Sequence, residues 1–128
     1  MSQMSLMDFI KDAKSRIKEV DIDAAEGLIA QGYKVLDVRE PAEHAAGAID
    51  GSLNVPRGIL EAAADLEFAK GNPALRDGRE SQWLIFCATG GRSALASDTL
   101  QKMGFSDVTN VLGGMTAWME AGKPVVKS

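Results

Sequence analysis

Leu6, Ile10, Ala13, Ile17 and Val20 recur at steps of three and four residues, with Asp8, Lys11, Asp12, Ser15, Arg16 and Lys18 between them. That period predicts an amphipathic helix over residues 6–20, its apolar stripe laid on the body of the same domain. A dimer contact is the alternative use of such a stripe. Asp23 is suited to cap a short helix running to Ala30 and closed by Gly32, after which residues 33–38 (YKVLDV) form a buried strand ending near Asp37. Pro41 fits the first turn of a further helix that Gly47 ends, and residues 52–55 form a brief strand running into Pro56.

Residues 59–68 read as a helix, and residues 71–80, with Asn72-Pro73 and Asp77-Gly78, as an exposed loop. The run Trp83-Leu84-Ile85-Phe86 is a continuous apolar strand that ends at Cys87. A helix follows from about Ser93 to Met103, stopped by Gly104, then a strand over residues 108–112 and a helix over 115–121 ended by Gly122 and Pro124. Strands alternate with helices throughout. Parallel strands need helical crossovers, and both sheet faces must then be covered, so the pattern predicts a three-layer α/β domain around a mainly parallel sheet. The expected division is an N-terminal helix in residues 1–21 packed on a domain of residues 22–128.

Composition narrows the function classes. The chain has 128 residues, 45% of them hydrophobic, and lacks the apolar run of about 18 residues that a spanning helix requires. It is long enough for a core that needs neither disulfides nor a structural metal. One Cys and one His exclude an intramolecular disulfide and the usual single-chain zinc site, so no metal and no cofactor are expected. Fourteen basic residues against 18 acidic ones give a net charge of -4, which speaks against nucleic acid or an anionic membrane as partner. Residues 1–20 carry charges where a secretory signal would be apolar, so a cytoplasmic location is expected, where a lone thiol stays reduced.

The informative segment is Cys87-Ala88-Thr89-Gly90-Gly91-Arg92-Ser93, between a buried strand and a helix start. Ligands of open parallel sheets bind beyond the carboxyl ends of the strands, and a helix N-terminus there presents unpaired N–H groups and partial positive charge. Gly90 and Gly91 permit close backbone approach, so the amides of Ala88 to Ser93 can gather into an anion-binding nest with Cys87 at its rim. Such surroundings favour a thiolate, which needs no histidine base to act as nucleophile. The competing account of Cys87 is a small hydrophobe at the end of a core strand. Strand end, paired glycines and Arg-Ser at the helix start favour the nucleophile.

The sequence also resembles the single-domain rhodaneses, sulfurtransferases whose active-site Cys lies in a short loop ending near an Arg. Beyond the Cys loop, Asp37-Val38-Arg39-Glu40-Pro41 with Glu43 resembles the family's first motif, and Gly47-Ala48-Ile49 followed by Gly51-Ser52-Leu53-Asn54-Val55-Pro56 its second. Gly113-Gly114, Ala117-Trp118 and Ala121-Gly122-Lys123-Pro124-Val125 resemble the C-terminal signature. The resemblance covers about residues 22–125. It departs from the family pattern at Ala48, where a His is frequent, and at His44, which stands at a position commonly aromatic.

What the resemblance implies is a two-step transfer. Cys87 takes the sulfane sulfur of thiosulfate or a persulfide, becomes a persulfide, and hands the sulfur to cyanide, a small thiol or a protein thiol. The amides of residues 88–93 would stabilise the charge on the moving sulfur. The hydroxyls of Thr89 and Ser93 either join them or bond to local backbone, and for Ser93 the expected role is the helix cap. Arg92 either binds an anionic donor or pairs with a carboxylate such as Asp37 or Glu43 to brace the loop. Asp37, Arg39 and Glu43 are expected as scaffold, and Arg57 either steers anions to the mouth or is a solvated surface group. The alternatives are a non-catalytic binding module, a dedicated sulfur carrier and, further off, a phosphatase, whose loop would place five residues rather than four between Cys and Arg. A cysteine protease would depend on His44, the sole histidine.

Overall fold

The computed structural model describes residues 3–128. Five parallel strands, β1 (Lys18–Val20), β2 (Lys34–Asp37), β3 (Leu53–Asn54), β4 (Gln82–Phe86) and β5 (Asp107–Val111), form one sheet in the order β1-β5-β4-β2-β3. Around it lie α1 (Leu6–Lys14), α2 (Ile22–Ala30), α3 (Pro41–Ala46), α4 (Leu60–Ala64), α5 (Pro73–Arg76), α6 (Gly91–Lys102) and α7 (Gly114–Glu120). The expected three-layer α/β architecture is therefore present. Its physical basis is visible in β4, where successive side chains serve opposite faces. Trp83, Ile85 and Cys87 join a core with Leu60, Leu75, Ala96 and Leu100, whereas Leu84 and Phe86 join a second core with Ala25, Met115 and Trp118. The Phe86 and Trp118 rings meet edge to face, with centroids 5.8 Å apart.

Four local expectations are corrected. The first helix stops at Lys14, and residues 18–20 pair with β5 from Lys18 beside Thr109 to Val20 beside Val111. A three-residue edge strand leaves no period of its own to read, and its stabilisation comes from hydrogen bonds to a strand about 90 residues away. The cap of α2 is Asp21, whose carboxylate accepts the Ala24 N–H at 2.8 Å, with Asp23 in the first turn. The helix expected over residues 59–68 is a 3₁₀ turn over Arg57–Ile59 joined to the short α4, because the chain turns extended at Asp65. Within the supposed exposed loop, Asn72 caps α5 through the Ala74 N–H, Pro73 starts it, and Leu75 is fully buried in the core.

Helix α1 is opened by a capping box between Ser5 and Asp8 and packs against α6, burying Ile10 and Ala13. Just beyond it, Arg16 donates to the buried Asp98 of α6 through Nε at 2.9 Å and Nη2 at 2.8 Å. These hydrogen bonds, more than any other influence, hold the Asp98 carboxyl down to about 2. The carboxyl titrates lower in the folded chain than in the unfolded one, so its stabilisation is complete above pH ~4 and disappears as the pH falls toward 2. Asp98→Asn is expected to cost about 1 kcal/mol near neutrality, a figure reduced for the screening of half-exposed Arg16. Urea unfolding of the two proteins tests this: their stability gap should narrow between pH 4 and 2, and a gap constant through that window refutes the linkage.

Candidate active site

Cys87 follows the last residue of β4, and its side chain is buried on the α6 side of the sheet. Gly90, with φ +101°, turns the chain into α6, which begins at Gly91. A side chain at residue 90 would be strained in that left-handed conformation. The turn aims the Gly90 N–H at Cys87 Sγ, 3.0 Å away, and the Ser93 hydroxyl donates to the same sulfur at 3.3 Å. Because α6 starts two residues earlier than expected, Gly90 takes the cap position and Ser93 lies in the first turn, free to face the sulfur instead of capping. Among the described residues, the N–H groups of Ala88, Thr89, Gly91, Arg92 and Ser93 have no hydrogen-bond acceptor. They are the orphan donors of a loop and helix start.

The orientation of these peptides is imposed from α7. Met115 N–H donates to the Cys87 carbonyl at 2.8 Å and Thr116 N–H to the Ala88 carbonyl at 2.9 Å. With its first carbonyls held by one helix start, the loop is free to offer N–H groups on its other side. Gly114, at φ +53°, has no Cβ because one would collide with the Cys87 carbonyl oxygen and would lie 2.8 Å from that of Ala88. Asn110, buried on β5, donates to the Gly90 carbonyl at 3.3 Å and to Glu19 at 2.8 Å. Of these supporting residues only Gly114 belongs to a motif quoted from the sequence, and there without this role. Gly113-Gly114 after a strand was the available signal for the first; Asn110 had none beyond a polar residue within a buried strand.

Arg92 makes no hydrogen bond to the sulfur. Its guanidinium makes two parallel bonds to Glu43 at the start of α3, at 2.9 and 3.1 Å. The Arg92 bonds, with the Glu40 N–H next, hold the Glu43 carboxyl down to about 2. Asp37 is buried and accepts from Arg39 Nε and Nη2 and from the Arg39 backbone N–H, with His44 Nδ1 2.9 Å from its other side. Arg39 also donates to the Gly47 carbonyl, so with His44 this cluster ties the end of β2 to the C-terminal half of α3. Arg57 gives Nη1 to Glu61 and Nη2 to Thr99 of α6. None of Asp37, Arg39, His44 and Arg57 hydrogen-bonds to Cys87 or to residues 88–91. Among the described residues no cluster of His, Cys, Asp and Glu can hold a metal ion, and no helix is long and apolar enough to cross a membrane.

A cysteine at a strand end, accepting from a loop amide and from a hydroxyl in the first turn of the next helix, has a counterpart among known proteins. The family model of the rhodanese-like domain matches residues 21–121. The chain belongs to that family. A chloroplastic thiosulfate sulfurtransferase of Arabidopsis thaliana is 32% identical over 115 residues, covering 87% of this chain and 95% of that protein. A mitochondrial relative from Schizosaccharomyces pombe is 37% identical over 89 residues, and this rhodanese-like chain spans 63% of its length. Among solved structures, a Rhodopseudomonas palustris protein described as a possible tyrosine phosphatase superposes with a TM-score of 0.87 at 32% identity, covering 98% of this chain and 99% of that one. Membership thus carries a family-level sulfurtransferase function, and the family match leaves α1 outside its bounds.

Proposed function

We propose that the protein is a thiosulfate sulfurtransferase-type enzyme that carries sulfane sulfur as a persulfide on Cys87. The observation that carries this reading is the pair of donors on Cys87 Sγ, Gly90 N–H and Ser93 Oγ, in a loop and helix start where five further amides have no acceptor among the described residues. In the first half-reaction the Cys87 thiolate attacks the outer sulfur of thiosulfate. A bond forms between the two sulfurs, the S–S bond of thiosulfate breaks, and its electron pair leaves with sulfite. In the second, an acceptor thiolate or cyanide attacks the terminal sulfur, the Cys87 S–S bond breaks, and the pair returns to the Cys87 thiolate. Preorganised amides of Ala88 to Ser93 stabilise the charged sulfur in both steps, and the Ser93 hydroxyl adds a side-chain donor.

Arg92 acts here by holding the loop against α3, since its fork is filled by Glu43. That feature also weighs against phosphate ester hydrolysis, in which the loop Arg would have to grip the transferred anion. The loop is one residue shorter than a phosphate cradle and suits a lone sulfur. Arg57, already shared between Glu61 and Thr99, steers anions at most through its long-range field. The reading places the enzyme in the reducing cytoplasm, with a small sulfur donor and a thiol or cyanide acceptor, no nucleic acid and no membrane as partners, in keeping with a net charge of -4.

Incubation with thiosulfate is expected to raise the intact mass by one sulfur atom, which cyanide removes, with repeated turnover when both are present. A stable adduct without turnover would assign a dedicated carrier instead. No adduct, together with Cys87-dependent hydrolysis of an aryl phosphate, would replace the proposal by the phosphatase reading.

A further inference from the structure

Glu19 and Asn110 stand opposite one another in the paired strands β1 and β5. By the two-residue alternation of a strand, Asn110 shares the sheet face of Val108, which is also the face of Cys87. The Asn110 side chain is wholly buried, and both hydrogen bonds it makes are donated by Nδ2, to Glu19 Oε2 at 2.8 Å and to the Gly90 carbonyl at 3.3 Å. Its Oδ1 has no partner among the described residues. An Asn amide has two unlike ends, one donating and one accepting, on a torsion that is itself soft. With Oδ1 bonded to nothing, only the two acceptors at Nδ2 decide which way the amide is turned. Turning it over would set Oδ1 against a carboxylate and a carbonyl oxygen. The Glu19 bond is the shorter of the two and is charge-assisted, and Lys14 of α1 lies 3.2 Å from the same carboxylate oxygen.

The amide holds the most pliable joint of the Cys87 loop. Gly90 has φ +101° and no Cβ to limit its rotation, so its partners must fix its position. Its N–H lies 3.0 Å from Cys87 Sγ, while its carbonyl accepts from the Ala94 N–H at 3.2 Å and from Asn110. The first of those carbonyl bonds belongs to α6 itself; the second ties Gly90 to the sheet. Resting on the sulfurtransferase reading, we propose that Glu19 is a positioning residue for sulfur transfer. By accepting from Asn110 it keeps that amide turned with Nδ2 toward the Gly90 carbonyl, and so keeps the Gly90 N–H on the sulfur. The edge strand β1 is on this account part of the working site, although none of its side chains hydrogen-bonds to Cys87.

Glu19→Met tests the assignment, since it keeps the length of the side chain and lacks the acceptor; Glu19→Ala replaces it should the methionine protein fail to fold. Turnover of thiosulfate with cyanide is expected to show kcat lowered about tenfold, with KM for thiosulfate within about twofold of its original value. Glu19→Gln, whose amide oxygen accepts the same bond, should restore kcat. Lys18→Ala breaks the neighbouring tie of β1 to Asp107 and should leave kcat unchanged. In an Asn110→Ala background Glu19→Met should have no further effect. A readout without turnover is the Gly90 amide proton: its resonance should move and its exchange with solvent quicken in Glu19→Met, and do neither in Glu19→Gln or Lys18→Ala. Equal losses in Glu19→Met and Lys18→Ala reduce Glu19 to a prop of the edge strand and overturn the proposal. So do a full additional loss in the Asn110→Ala background, failure of Glu19→Gln to restore kcat, or an unmoved Gly90 amide. Absence of sulfur transfer by the unsubstituted protein would instead strike the sulfurtransferase reading, while the Gly90 amide still judges the link from Glu19.

Discussion

Cys87→Ser is expected to abolish sulfur uptake from thiosulfate and to lower turnover by about 10³-fold or more, the scale seen when a covalent nucleophile is removed. Oxygen in place of sulfur keeps the shape of the side chain and the capacity to accept from the Gly90 N–H and Ser93 Oγ that now surround the sulfur. A hydroxyl is a far weaker nucleophile near neutral pH, and no side chain is placed to activate it: His44 bonds to Asp37 and Arg92 to Glu43. The folded state should survive, because the substitution removes no carbon from the core. Intact mass after thiosulfate, steady-state turnover and urea unfolding separate these effects. Retention of more than a tenth of the activity in a folded Cys87→Ser protein would mean that sulfur does not travel through this residue.

The next largest effect is expected at a residue that bears no reactive group. Gly114→Ala forces a methyl carbon into the Cys87 carbonyl and to 2.8 Å from that of Ala88, both of them backbone atoms that cannot rotate away. Either α7 retreats, losing the bonds from Met115 and Thr116, or the loop turns its peptides and with them the Gly90 N–H. We expect a stability loss of about 2–4 kcal/mol from overpacking and the strained φ together. Turnover should fall about 10²-fold, the cost of misplacing catalytic groups by an ångström or so. Gly32→Ala is the comparison: Gly32 also has a positive φ, +104°, but open space where the Cβ would go. It should lose about 1 kcal/mol and keep its activity. Should Gly114→Ala turn over like the unsubstituted protein, the peptides held by α7 are not what sets the sulfur site.

These two substitutions differ in how far the sequence foretells them. Cys87 is conspicuous locally: an apolar run ends, two glycines follow, and Arg-Ser opens a helix, so strand, turn and helix start all lie within a dozen residues. The bond from Ser93 to the sulfur is less so, because helix starts are uncertain by a residue or two, and a shift from Ser93 to Gly91 turns a capping residue into one that faces the site. For Arg92 the sequence offers two partners of equal chemistry. Glu43 is chosen over Asp37 because Asp37 is already saturated by Arg39 and His44 at the end of β2.

The hydrophobic periods along the chain by themselves determined the alternation of strands and helices, hence a parallel three-layer sheet, and the loop motif determined which sulfur the proposed reaction runs through. Those features follow from residues adjacent in the chain. Contacts between distant segments decided the rest: β1 exists because β5 offers it hydrogen bonds, Leu75 is buried because α5 packs beside α4 in the core that also holds Trp83, and the loop peptides take their orientation from α7. The seat of α1 on α6 has the same origin, since an amphipathic stripe states that a face will be covered but not by what. Burial and hydrogen bonding are satisfied by whichever partner the finished fold brings near, and that partner is written nowhere in the local pattern.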